Sequence, residues 1–179
     1  MKLQNGKWIN IDKWDLIIAH PPCTFLSNVS TSAHSLKSNP ENRIEGVTLE
    51  RINAMRFFME MIRANCNHIA VENPVGIMNS AFRKPDQIIE PYQFAMNERD
   101  SENYVTKRTC LWLKNLPILR TNDLPRPNNA KIFGKLSSGK AKNWTDSASR
   151  DPRIRSKTFP GIAEAMATQW SKAIEEMEK

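Results

Sequence analysis

A chain of 179 residues, 40% hydrophobic and 25% charged, has the composition of one globular domain large enough to bury a real core. No apolar run reaches membrane-span length, and the opening "MKLQNGKWINIDKW" lacks the apolar core of a signal peptide, so a cytoplasmic protein without membrane association is expected. The net charge of +7 is concentrated: Arg120 to Lys157 holds ten Lys/Arg against three Asp, which accounts for the whole excess.

Asp15 to Ala19 (DLIIA) is a short apolar run rich in β-branched residues and bounded by prolines, and it predicts a buried strand. From His20 to Gly46 the chain is rich in Ser, Thr, Asn and Pro, the composition of a long loop. Leu49, Ile52, Met55, Met59 and Ile62 then recur at helical spacing, predicting a helix over 48–64 whose stripe packs into the core. "HIAVENP" follows, with His68 to Val71 as a second short strand halted by Pro74.

Strand, helix and strand in this order predict a βαβ unit with parallel strands. Their C-terminal ends then lie along one sheet edge, the edge where open α/β sheets bind ligands. Cys23 and Glu72 each fall just past a predicted strand end, so they are expected to meet over one pocket.

"KRTCLWLKNLP" (107–117) is a third strand candidate, with Cys110, Trp112 and their neighbours alternating about the pleat. The basic segment "RTNDLPRPNNAKIFGKLSSGKAKNWTDSASRDPRIRSK" comes next, rich in Pro, Asn, Ser and Gly. Such a segment suits phosphate contacts, and a merely solvated loop explains the composition equally well. In the closing "TFPGIAEAMATQWSKAIEEMEK", Ile162, Met166, Trp170, Ala173 and Met177 share a helical face, with Pro160 in the first turn. There is no internal repeat. The expected architecture is a single α/β domain over 1–179: a sheet with a βαβ unit in 1–119, a basic loop over 120–157 and a C-terminal helix over 158–179.

The chemistry lies in the two turns. Cys23 directly follows Pro21 and Pro22, a rigid address that a structural cysteine does not need. A thiolate there can add to an electron-poor ring carbon. A carboxyl group beside it can give a hydrogen bond or proton to the ring nitrogen that gathers the charge. On cytosine this means attack at C6 with help at N3, which makes C5 nucleophilic. Cys66 and Cys110 read as core cysteines. With Cys23 they form an odd, widely spaced set that suggests neither disulfides nor a metal site.

"PPC" after one apolar strand and "ENP" after the next resemble the two central motifs of DNA cytosine-5 methyltransferases. The wider pattern "WDLIIAHPPCTFLSN…IAVENPVGIMNSAFRKPDQIIEPYQF…KRTCLWLKNLP…RSKTFPGIAEAMATQW" is similar to small phage- and prophage-type members of that group over nearly the whole chain. The resemblance implies a partial Rossmann-like, methyltransferase-type sheet, with Cys23 as nucleophile and Glu72 as the partner of the cytosine ring nitrogen. Pro22, Asn73, Arg108 and Lys107 would be the substrate-binding residues, although Asn73 also reads as a shaper of the turn. Lys131, Lys135, Lys140, Lys142, Arg153 and Arg155 would contact the DNA backbone, in a bacterial or phage-infected cell. Bases inside a duplex have to be flipped out for such chemistry.

Each residue also has a plainer reading. Cys23 can be a small inert hydrophobe and Glu72 a structural cap. His20 can be a backbone-bonded histidine or orient the PPC turn, and Trp144 can anchor the basic loop or stack on a base. An amino-methyltransferase is the nearest competitor, but His20 and Cys23 stand where its acceptor and aromatic residue belong, and ENP is then unexplained.

The family's S-adenosylmethionine-binding half has no counterpart, since no G-x-G pattern occurs among the six glycines. The chain looks like the second half alone. S-adenosylmethionine would therefore be bound by a partner polypeptide in a split enzyme, or the chain is a fragment, or the scaffold has become a non-enzymatic binder of DNA or protein. The stretch "QFAMNERDSENYVT" (93–106) is longer and more charged than a tight turn, which favours the binder. An exposed sheet edge would favour a protein partner or self-association.

Overall fold

The computed structural model describes residues 6–8, 13–28, 45–142, 144 and 157–179, with the backbone alone for 45–48. Four strands and four α-helices are described: β1 (Leu16–Ala19), α1 (Glu45–Ile62), β2 (His68–Pro74), α2 (Met78–Ala81), β3 (Gln87–Ile89), β4 (Thr109–Lys114), α3 (Asn129–Phe133) and α4 (Pro160–Met177). A single 3₁₀ turn, Pro91–Phe94, follows β3.

One mixed sheet has the order β1-β2-β4-β3. β1 and β2 are parallel, in the register Leu16 with His68 to Ala19 with Val71. β4 runs antiparallel to both β2 and β3. The expected βαβ unit is therefore present, and β4 is inserted in reverse between β2 and β3.

The two-residue period of the strands separates two cores. Ile69, Val71, Cys110 and Trp112 join Phe58 and Ile62 of α1 on one face. Ala70 and Leu111 join Ile162, Met166 and Trp170 of α4 on the other. Helices cover both faces, so β2 and β4 have to be apolar on both sides, and "HIAV" and "TCLWL" read as continuous runs for that reason. Phe58 meets Trp112 edge to face, with ring centroids 5.0 Å apart and planes at 88°. Both buried indoles find acceptors: Trp112 Nε1 donates to the Arg83 carbonyl and Trp170 Nε1 to the Pro117 carbonyl, each at 2.9 Å.

Several boundaries differ from the sequence expectation. β2 continues through Glu72, Asn73 and Pro74, because β4 pairs with all three: Glu72 with Leu111, Asn73 with Cys110 and Pro74 with Thr109. Glu72 therefore sits within the strand and not just past its end. β3, only three residues long with Ile88 exposed, has no readable period.

The segment 120–157 is not simply a loop. Asn128 caps α3 by accepting from the Lys131 amide, and a tight hairpin follows in which Lys135 bridges Ala141. Residues 93–106 form a packed connector. Asp100 accepts from the amides of Met96, Glu102 and Asn103, and Asn103 Oδ1 accepts from the Gly161 amide at the start of α4 at 2.8 Å. Asn122 Nδ2 donates to the Ala95 carbonyl and Tyr104 Oη to the Pro125 carbonyl, so the connector also holds the beginning of the basic segment. Asp100 is the charged residue of this stretch whose side chain organises it, while Glu98, Arg99 and Glu102 are exposed.

Candidate active site

The parallel register of β1 and β2 sets the PPC turn beside the ENP segment. Ala19 pairs with Val71, so the next residues, His20 and Glu72, are neighbours on the α4 side of the sheet. His20 Nδ1 lies 3.0 Å from Glu72 Oε2. One residue on, Asn73 faces the other way, and its Nδ2 donates to the Pro21 carbonyl at 2.8 Å. Asn73 is buried, which gives this bond its value in fixing the turn. The Asn73 Oδ1 has no hydrogen-bond partner among the described residues.

A second clasp holds the far side of the turn. The Leu26 and Ser27 amides donate to the Cys23 carbonyl, closing a helical turn on the cysteine. Ile77 N donates to Leu26 O at 2.8 Å and Asn28 N to Val75 O at 3.1 Å, around a bridge from Ser27 to Gly76. Gly76 permits this approach: a Cβ there would run into the Leu26 carbonyl. Leu26 itself is buried with Phe58 and Met78.

Cys23, between the two clasps, is exposed, whereas Cys66 and Cys110 are buried. The Cys66 thiol lies 3.1 Å from the Trp14 carbonyl and 3.2 Å from that of His68. Burial pushes the Cys110 thiol above its ordinary pKa, with Glu72 adding to the rise and Asn79 and Arg108 opposing it. A thiol of that kind is unreactive near neutrality. Of the three cysteines, only Cys23 combines a rigid address with access.

Glu72 is 18% exposed at its side chain and lines a cavity of about 20 Å³ with Lys107, Thr109, Lys157, Thr158, Phe159 and Ile162. Cys23 does not line it, so the pocket that Cys23 and Glu72 were expected to share is not this cavity. The volume is that of about one water molecule. Lys107 lies over the rings of Trp144 and Phe159, 5.2 and 5.5 Å from their centroids, and those rings meet edge to face at 5.1 Å. Trp144 therefore anchors the basic segment to the start of α4. Lys157 and Thr158 were not legible as site residues, because only the return of the chain from the basic segment into α4 brings them to Glu72.

Of the other sequence-derived residues, Pro22 and Arg108 are exposed, Arg108 just ahead of β4. Lys131, Lys135 and Lys140 are exposed and Lys142 half-buried, the last three within or beside the hairpin. Arg153 and Arg155 lie outside the described residues. Arg126 is exposed and paired with Glu90 through two contacts of 3.1 Å.

A glycine-rich cradle for S-adenosylmethionine is not seen at a strand end among the described residues. Gly76 and Gly161 are packed against the Leu26 and Phe94 carbonyls, Gly134 and Gly139 belong to the hairpin, and none of them forms a cradle at a strand end. The cavity beside Glu72 is far too small for it. Among the described residues there is no cluster of ligands for a metal ion and no helix long and apolar enough to cross a membrane. No protein family, curated protein or solved structure matches this chain.

Proposed function

We propose that this chain carries the base-handling half of a DNA cytosine-5 methyltransferase-type reaction, with Cys23 adding to C6 of cytosine and Glu72 serving N3. The observation that carries the reading is the clamp between the two turns. Asn73 bonds Pro21 and His20 bonds Glu72, which fixes the start of the turn that carries the exposed Cys23 beside the strand that carries the partly sheltered Glu72 carboxyl. Loose loops would not give a nucleophile and an acid a fixed mutual placement.

The step is balanced without a cofactor. The Cys23 thiolate forms the S–C6 bond, the C5–C6 π electrons shift through C4 to N3, and N3 takes a proton from the Glu72 carboxyl. The resulting enamine exchanges its C5 hydrogen with water, and reversal returns cytosine and thiolate. Methyl transfer from S-adenosylmethionine would need a site supplied by a partner polypeptide, and no step of it is assigned to these residues. The lysines of the 131–142 segment would hold the DNA backbone.

Release of tritium from 5-tritiated cytosine in single-stranded and duplex DNA tests the proposal, comparing this chain with Cys23→Ser. Release that requires Cys23 supports it, and equal background release from both proteins overturns it. A second reading, a methyltransferase-derived protein that binds DNA or another protein without catalysis, is favoured by the cavity beside Glu72, which holds about one water and not a pyrimidine ring. That reading predicts DNA or protein binding with no Cys23-dependent release.

A further inference from the structure

His20 is the hydrogen-bonding partner that the Glu72 carboxyl has among the described residues. The two come from the ends of adjacent parallel strands, 52 positions apart in sequence. His20 is 37% exposed at its side chain and Glu72 18%. A pair this open to water adds little to stability.

The turn has no need of that bond to keep its shape. Asn73 Nδ2 on the Pro21 carbonyl, Ile77 N on Leu26 O and Asn28 N on Val75 O already hold it from both sides. What His20 contacts is the one group whose orientation the proposed chemistry depends on.

A carboxyl group can carry its acid proton on either oxygen and can rotate to present either. In the tautomer that carries Nδ1–H, the ring donates to Oε2, which uses that oxygen as an acceptor and leaves Oε1 to carry the acid proton. It also favours one setting of the last torsion of the side chain. Lys107 and Lys157 face the same cavity from the approach to β4 and from the approach to α4, and a freely turning carboxyl would follow either cation.

We propose that His20 is a positioning residue for Glu72, engaging Oε2 so that Oε1 is the oxygen that serves the pyrimidine ring nitrogen. The inference rests on the proposed roles of Cys23 and Glu72 and adds a residue that acts through Glu72 without touching the base. Side-chain geometry distinguishes positioning from mere occupancy: an asparagine amide nitrogen lies close to where imidazole Nδ1 does, whereas alanine offers no donor.

The test is the rate of Cys23-dependent tritium exchange at C5 for the wild-type chain, Cys23→Ser, His20→Ala and His20→Asn, with alkylation of Cys23 followed in parallel. His20→Ala is expected to lower kcat for exchange by about 10- to 100-fold, with KM for DNA nearly unchanged, since a misplaced group of this kind can cost about 100-fold. His20→Asn is expected to recover most of the rate, and Cys23 is expected to alkylate at the same rate in all the His20 variants. Exchange that needs Cys23 but is unaffected by His20→Ala overturns the positioning role alone. So does a His20→Asn protein no faster than His20→Ala, or a slowed alkylation that matches the lost exchange, which would make His20 a support of the turn. Wild-type protein without Cys23-dependent exchange overturns the base-handling reading and this inference with it.

Discussion

Gly76→Ala probes the clasp that holds the nucleophile's turn. Gly76 has no unusual φ, so alanine can adopt its backbone conformation and conformational strain is not at issue. The new methyl group would instead meet backbone: the Leu26 carbonyl oxygen, its carbon at 2.8 Å and the Ser27 Cα at 2.9 Å. Backbone cannot step aside as a flexible side chain does. Relief requires residues 26–28 to move off residues 75–77, which breaks Ile77 N to Leu26 O and Asn28 N to Val75 O. Overpacking costs about 1–3 kcal/mol and each lost backbone bond about 1 kcal/mol, which together put the loss at about 2–4 kcal/mol. Urea unfolding should show a lower midpoint at unchanged slope. Thermolysin should cut earlier next to Phe25 and Leu26, and exchange at C5 should fall with the displaced Cys23. Gly139→Ala is the contrast, with φ +79° but open space around it. Its cost is local strain of about 1–2 kcal/mol, without any effect on the turn. A Gly76→Ala protein with an unchanged urea midpoint and an intact Phe25–Leu26 segment would mean that residues 26–28 do not pack against Gly76 as tightly as these distances require.

Trp170→Ala removes a fully buried indole from the α4 core and its bond to the Pro117 carbonyl, and should destabilise by about 3–5 kcal/mol in urea unfolding. Under native conditions at neutral pH, a thiol reagent should modify Cys23 alone, and all three cysteines once the chain is denatured, as read by intact mass. Burial raises the Asp86 carboxyl, but hydrogen bonds from Arg83 and the Leu113 amide and the Arg83 charge outweigh it and hold the pKa below its ordinary value. Asp100 is likewise lowered, with the Asn103 side chain and the amides of Met96, Asn103 and Glu102 overcoming its desolvation. A depressed carboxylate stabilises the fold above its unfolded pKa and loses that contribution as pH falls through the folded value. The urea midpoint should therefore decline on acidification below about pH 4, and Asp86→Asn should shrink the decline. Replacing Lys131, Lys135 and Lys140 together by alanine should lower the slope of log affinity for duplex DNA against log salt by about 2–3, and an unchanged slope would remove the hairpin from the DNA contact.

The first half of β2 was legible because a strand covered on both faces has to be apolar throughout. β1 was legible from its β-branched run alone: it is the edge strand, with Ile18 exposed and Leu16 and Ile17 half-buried, and not the buried strand its composition suggests. α4 was legible because Ile162, Met166 and Trp170 keep one helical face. The continuation of β2 through Glu72 and Pro74 was hidden, since it depends on β4 arriving from some forty residues away to pair with them. Chain composition likewise hid α3, although "PNNAKIFG" carried its signals: Asn128 as the cap and Gly134, with φ of 75°, after the last turn. The Cys23 and Glu72 motifs were readable as types of residue in order. Their coupling through His20 and Asn73 was not, because it follows from the register of β1 against β2, which the two short runs do not specify alone.

The most direct measurement of the central claim is the intact mass of this chain after incubation with a single-stranded oligonucleotide carrying 5-azacytosine, whose electron-poor ring adds thiols at C6. A protein–oligonucleotide adduct that maps to the peptide holding Cys23 and disappears in Cys23→Ser is expected. An absence of adduct with DNA demonstrably bound, or an adduct that persists in Cys23→Ser, would contradict it.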